Sequence, residues 1–162
     1  MIKFELVKEE FREEYHSDGI YNIELQECEY RLPERKTKGS AGYDFFAPHD
    51  FLIPAGGTTG LIKMGVKAIM PSNMYLGIHI RSSMAAKHDI IIVNLEPIID
   101  SDYANNEEND GNIMLKFRNL GTKDYLVRKG DRICQGILKK YFTTDDDLVE
   151  NERVGGYGST GK

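Results

Sequence analysis

The sequence predicts an all-β fold, a sandwich or barrel of short antiparallel strands of the jelly-roll kind. Three observations carry this. Met74, Leu76, Ile78 and Ile80 alternate with Tyr75, Gly77 and His79, and Ile113, Leu115 and Phe117 repeat the same period of two, the signature of half-buried strands. All five prolines fall in turns or at strand ends, where a missing N–H costs little. No long amphipathic helix is visible after residue 20. Short strands at regular spacing, with turn residues between them, select a jelly-roll-like architecture.

In chain order, residues 3–7 alternate like a strand, residues 8–14 are charged and could be helical, and residues 20–30 read as a strand or hairpin. Residues 32–40 are polar and rich in breakers, a loop. Residues 41–46 and 51–53 are short apolar-aromatic strands interrupted by Pro48 and Pro54. A strand over 61–70 meets the turn Pro71-Ser72-Asn73 and leads into the alternating strand 74–80. Met84-Ala85-Ala86-Lys87 makes one turn of helix, its amides capped by a serine. Residues 112–118, 125–127 and 133–142 are further strands, with the turn Arg128-Lys129-Gly130-Asp131 between the last two. Residues 104–111 are a polar loop tip, and Asp145-Asp146-Asp147 reads as a solvated turn.

The 162 residues suffice for one domain with a substantial core. A net charge of −5 without any block of consecutive Lys or Arg speaks against a broad nucleic-acid-binding face. An anionic ligand must then be held by a local cluster of donors. No apolar stretch approaches the length of a membrane span and no signal-peptide pattern is present, so the expected location is cytoplasmic. Cys28 and Cys134 have neither metal-ligand spacing nor the density of a disulfide scaffold, and read as reduced, packed thiols.

Two kinds of chemistry meet in residues 81–103. Arg81, Ser82 and Ser83 open the short helical stretch, where free amides and a guanidinium can seat an oxyanion such as phosphate. Ile98-Ile99-Asp100-Ser101-Asp102-Tyr103 then suggests a buried strand that delivers a carboxylate to the rim of a pocket. The same residues also read as a surface turn followed by a strand and an acidic turn. The glycine-rich end, residues 153–162, is mobile by default. It could equally wrap phosphates through bare amides and hydroxyls, with Tyr157 stacking on a base.

Five segments in order carry a resemblance. They are Ala41-Gly42-Tyr43-Asp44; Arg81-Ser82-Ser83-Met84-Ala85-Ala86-Lys87-His88; Asn94 with Ile99-Asp100-Ser101-Asp102-Tyr103; Gly130-Asp131-Arg132-Ile133-Cys134-Gln135; and Arg153-Val154-Gly155-Gly156-Tyr157-Gly158-Ser159-Thr160-Gly161. Together they resemble the five motifs of the homotrimeric deoxyuridine triphosphatases (dUTPases), over residues 32–162. The resemblance implies a distorted jelly-roll barrel of the β-clip type, with a short helical turn after the second motif. It divides the chain into an N-terminal extension (1–31) on or beside the core, the barrel (32–148) and a flexible arm (149–162). The implied reaction is Mg²⁺-dependent hydrolysis of dUTP to dUMP and pyrophosphate, which limits uracil in DNA and supplies dUMP for dTMP synthesis. The implied assembly is a homotrimer whose three sites each draw on three chains, with neither nucleic acid nor membrane as partner.

Carried over residue by residue, Asp100 is the general base for the water that attacks the α-phosphorus. Asp44 organises the metal's water shell, the Mg²⁺ being held by substrate phosphates and water rather than by direct protein ligands. Arg81, Ser82, Ser83 and Gln135 contact the phosphate chain or its waters. Asn94 and the backbone after it, through Ile99, read the uracil edge. Tyr103 packs beneath the deoxyribose and excludes a 2′-hydroxyl. Arg153, Gly158, Ser159 and Thr160 grip the terminal phosphates, with Tyr157 over the base.

Three departures from the family pattern stand out. Pro97 replaces a common glycine and offers no N–H. Residues 104–111 lengthen a short link, and Tyr157 replaces the commoner Phe. The nearest rival is dCTP deaminase, a relative that needs a buried glutamate, for which the nearby residue is Glu96. A second rival is a non-catalytic, dUTP-sensing regulatory protein on the same scaffold. His88 reads as a surface or packing residue, Asp102 as structural, and Cys134 as facing the core or the trimer axis.

Overall fold

A computed structural model describes residues 1–18, 21–151, 153, 155 and 156, and the class is all-β. Fourteen short strands are present among these residues: β1 (Lys3–Leu6), β2 (Tyr15–Asp18), β3 (Ile23–Glu27), β4 (Tyr43–Phe46), β5 (Phe51–Ile53), β6 (Ile62–Lys63), β7 (Val66–Ile69), β8 (Met74–Ile80), β9 (Ile90–Ile92), β10 (Ile98–Asp100), β11 (Met114–Leu115), β12 (Phe117–Asn119), β13 (Tyr125–Val127) and β14 (Arg132–Lys140). The helix α1 spans Ser82–His88, and 3₁₀ turns occupy Glu9–Phe11 and Ser101–Tyr103. Every strand pairing is antiparallel.

The central sheet runs β10-β8-β14-β4. Its middle strand β8 shows why the alternation was readable: Leu76 and Ile78 are fully buried, while Tyr75 and His79 face the other way and stay partly exposed. Phe45, Ile90, Ile92, Ile113, Leu115, Phe117 and Ile133 complete the core, each burying a side chain that contributes about 1.5–3 kcal/mol. Cys134 lies in this core and is a free thiol, held protonated by its burial; Cys28 is also free and half-buried.

Four segments differ from the sequence reading. The strand expected over 61–70 is two strands with different partners, β6 on β11 and β7 on β1. The break is Gly65, whose φ of +65° suits glycine and whose missing Cβ leaves room for the Tyr30 ring. The strand expected over 112–118 likewise splits at Lys116 into β11 and β12, which pairs with β9. The charged stretch 8–14 forms only the 3₁₀ turn Glu9–Phe11, because Phe11 is its one apolar residue and no helical face can be buried. The hairpin read over 20–30 begins earlier, with β2 paired to β3; Ile20 lies outside the described residues.

Residues 1–13 are woven into the body. Phe4 packs edge-on against Tyr43 and Phe45 with ring centroids at 5.2 and 5.7 Å, and Val7 is fully buried. The Asp110 carboxylate accepts the Lys8 backbone N–H at 2.9 Å and the Lys67 ammonium at 3.0 Å. Lys67 also donates to Asn105 Oδ1 at 2.6 Å, so one buried ion pair joins the N-terminus, β7 and the 104–111 loop.

Candidate active site

The sequence-selected residues fall into two groups on the central sheet. In the first, Asp44 of β4 and Gln135 of β14 stand opposite each other, and Gln135 also faces His79 of β8. The Gln135 amide lies over Gly42, where a Cβ would come within 2.4 Å of its Oε1. Asp44 is braced by cations: Arg132 Nη1 donates to Oδ2 at 3.1 Å, and Arg81 Nε lies 3.8 Å from Oδ1. Arg81 Nη1 in turn donates to the Arg132 carbonyl at 3.1 Å.

Arg132 belonged to the fourth motif but was given no role from the sequence. The pairing of β14 with β4 shifts register between Arg132 and Cys134. Without that irregularity, residues three apart on a strand would face opposite sides of the sheet. The signal was present in the turn-to-strand junction after Gly130-Asp131, but a bulge cannot be read from alternation.

Arg81 is the N-cap of α1, in extended conformation (φ −69°, ψ 140°), and makes no side-chain cap hydrogen bond. The expected serine cap is therefore absent: Ser82 and Ser83 are already helical, with exposed side chains. The helix is also longer than the single turn expected and closes at Asp89, with φ of +55°. Buried Met84 fixes it to the core, and exposed His88 rests 4.6 Å from the Tyr125 ring. Arg81, Ser83, Arg132, Lys36, Asp131 and Glu34 line a cleft of about 400 Å³. Its guanidiniums and ammonium suit a polyanion in a chain whose net charge is negative.

The second group sits at the end of β10. Asp100 is exposed and lies opposite Tyr75, with Ile99 half-buried beside it. Tyr103 is buried; its hydroxyl donates to the Asn112 carbonyl at 3.0 Å and accepts from Asn109 Nδ2 at 2.9 Å. The Arg153 guanidinium caps this group. Its Nη2 donates to Asp100 Oδ2 at 2.7 Å and its Nε to Asp102 Oδ1 at 2.9 Å, 5.6 Å above the Tyr103 ring. The Gly156 N–H donates to Glu108 Oε2 at 2.7 Å, so the 104–111 loop holds the start of the arm. Asn94 is exposed in a tight turn, its carbonyl accepting from the Glu96 N–H at 2.7 Å, with Leu95 at φ of +61°. Buried Pro97 accepts at its carbonyl from the Ile78 N–H at 3.0 Å. Tyr157, Gly158, Ser159 and Thr160 lie outside the described residues.

Glu96 decides between two chemistries. It is half-exposed and hydrogen-bonded by the Lys139 ammonium, which holds its carboxyl below the ordinary range, and His79 Nε2 lies 3.5 Å away. A carboxylate kept ionised in this way is not a buried proton shuttle for a cytosine ring.

One chain does not unite the two groups. Asp44 and Asp100 lie three strand spacings apart across β4-β14-β8-β10, and four residues apart along β8. At about 4.8 Å per strand and 3.4 Å per residue, their backbones are roughly 20 Å apart. The cleft of Arg81 and Arg132 therefore lacks Asp100, which lies instead with Arg153 and the Tyr103 ring.

Residues 29–161 match the dUTPase family model. The chain is 36% identical over 132 residues to the deoxyuridine 5'-triphosphate nucleotidohydrolase of Lactococcus lactis, covering 80% of this chain and 87% of the relative. Among solved structures, dUTPase from Streptococcus mutans superposes with a TM-score of 0.70 at 29% identity, covering 88% of this chain and 98% of that one. A dUTPase mutant from phage phi11 of S. aureus, described for its coordination of a structural Mg(II) ion, shares the fold with a TM-score of 0.67 at 19% identity, over 93% and 97% of the two chains.

Proposed function

The chain belongs to the dUTPase family, and from this premise we infer that it hydrolyses dUTP to dUMP and pyrophosphate. The observation that carries the reading is the first group: Arg81 and Arg132 converge on Asp44, which stands opposite Gln135, and both arginines line one cleft with Lys36 and Ser83. The phosphate chain lies along it, with Arg81, Ser82, Ser83 and Gln135 as donors. Water attacks the α-phosphorus, the new P–O bond forms as the bond to pyrophosphate breaks, and Asp100 takes the water's proton. Tyr103, fixed by Asn112 and Asn109, supports the deoxyribose and leaves no space for a 2′-hydroxyl. Asn94 and the backbone of 95–99 read uracil, with the amides other than that of Pro97 as donors.

Mg²⁺ fits the first group. Asp44 offers a carboxylate that would hold the ion through water, its direction set by Arg132. When bound, the ion neutralises phosphate charge. Arg153, paired with Asp100 and Asp102, would have the terminal phosphates as an alternative partner, and its transfer would free the Asp100 carboxylate.

Because roughly 20 Å separates Asp100 from Asp44, the working site needs Asp100 from another copy. A closed ring of copies meets that need, and the homotrimer is the assembly we propose. The cytoplasm is the proposed location.

Pyrophosphate release from dUTP, UTP, dTTP and dCTP with Mg²⁺ tests the reading. Release from dUTP alone is expected; ammonia from dCTP would overturn it, and binding of dUTP without turnover would favour a sensor. Asp100→Asn is expected to lower kcat by about 10²–10⁴-fold while leaving dUTP affinity intact. Turnover at the wild-type rate in that variant would remove Asp100 from its role.

A further inference from the structure

Away from the nucleotide-binding residues, three side chains form a constellation that dUTP hydrolysis does not use. We propose that Glu13, His16 and His49 bind one divalent transition-metal cation, with zinc the best match, and that this ion clamps the β2–β3 hairpin to the body of the protein. Each residue offers one ligand atom, and these atoms lie within 4.8 Å of one another. A metal at their centre requires the His16 ring to turn out of its stack on His49, so that both in-plane lone pairs and the carboxylate reach normal bond lengths of about 2.0–2.2 Å.

The donors are prepared for the task. His49 is buried, and its Nδ1 lies 2.9 Å from the Asp50 carbonyl. A carbonyl can only accept, so Nδ1 carries the ring proton and Nε2 presents its lone pair. This is the outer hydrogen bond that fixes the tautomer of metal-binding histidines. The His16 ring stacks on His49 with centroids 3.5 Å apart and planes 15° off parallel, and its Nδ1 lies 3.5 Å from Glu13 Oε2.

Glu13 is fixed at its backbone, where the Tyr30 hydroxyl accepts its N–H at 3.0 Å and donates to its carbonyl at 2.9 Å. Its other carboxylate oxygen, Oε1, lies 3.4 Å from Lys63 Nζ. That ammonium orients the carboxylate and leaves Oε2 for an ion. Lys63 is 43% exposed, so its repulsion of a cation is screened by solvent.

The donor set points to the class of metal. Two imidazoles and one carboxylate prefer Zn²⁺ and its neighbours over Mg²⁺, which demands oxygen ligands, and leave a fourth position for water. The site also joins separate parts of the chain: Glu13 and His16 lie at the start of the hairpin, while His49 lies between β4 and β5. Protein contacts already follow this seam, with Glu29 N–H donating to the Pro48 carbonyl at 2.8 Å and Asp50 N–H to Gln26 Oε1 at 3.1 Å. A metal would add a link of the same sense, as a structural staple.

The full chain, stripped with chelator, is titrated with Zn²⁺ by calorimetry and with Co²⁺ by visible absorption, then melted with and without Zn²⁺. One ion per chain, a raised melting temperature in Zn²⁺ and no competition from millimolar Mg²⁺ are expected. His16→Gln and Glu13→Gln are each expected to weaken Zn²⁺ binding by at least about 10–100-fold. Their circular dichroism and their hydrolysis of dUTP with Mg²⁺ stay at wild-type values. No Zn²⁺ binding by the wild type, or undiminished binding by His16→Gln, would overturn the proposal whether or not dUTP is the substrate.

Discussion

At the scale of single residues, the proposed site would depend on what is missing at position 42 as much as on what is present at 135. Gly42→Ala introduces a Cβ 2.4 Å from Gln135 Oε1, a contact that the end of a flexible side chain can relieve by moving. The fold should tolerate this, whereas the amide's aim should not. Displacement of a catalytic group by about 1 Å costs on the order of 10²-fold in rate. We expect kcat/KM to fall at least tenfold with the melting temperature unchanged; unaltered kinetics would show that the Gln135 amide does not act on substrate. The sequence named Asp44, Gln135 and Arg81 but passed over Arg132, which contacts Asp44 at 3.1 Å. The reason is local: strict alternation assigns faces to residues on a regular strand, and the irregularity between Arg132 and Cys134 breaks that rule.

At the scale of elements, the strands with clean alternation were legible because one of their faces is buried; β8 is the plainest case. What could not be read was where a continuous apolar run changes partner, as at Gly65 and Lys116, since periodicity describes faces and not neighbours. The pairing of β1 with β7 was equally hidden, because its contacts span sixty or more residues. That pairing is reinforced by the buried Lys67–Asp110 pair, with side chains 7% and 2% exposed. Asp110→Asn keeps the shape and removes the charge, leaving Lys67 with Glu5 at 3.9 Å as its remaining carboxylate. A loss of about 3–5 kcal/mol in urea unfolding is expected, since a buried cation that loses its partner keeps its desolvation cost. A change below about 1 kcal/mol would mean that Glu5 or solvent takes over the role, and that the pair does not tie the N-terminus to the 104–111 loop.

At the scale of the molecule, the motifs propose the site's members but not their distribution. Asp44, Arg81 and Gln135 lie at one end of β8, and Asp100 and Tyr103 at the other, a separation invisible in a linear string of motifs. The overall negative charge sharpens the point: a polyphosphate needs a local cluster such as Arg81, Arg132 and Lys36, and in the proposed mechanism Asp100 comes to that cluster. In the proposed trimer one copy supplies the phosphate cleft and another supplies the base. Mixing two inactive variants tests it directly. Arg81→Ala and Asp100→Asn proteins, each unable to turn over dUTP alone, are unfolded together, refolded and assayed for pyrophosphate release. Shared sites predict that activity returns, because some sites then pair an intact Arg81 from one chain with an intact Asp100 from another. If the mixture stays as inactive as its parents while mixed oligomers demonstrably form, each site belongs to one chain and no copy lends Asp100 to another.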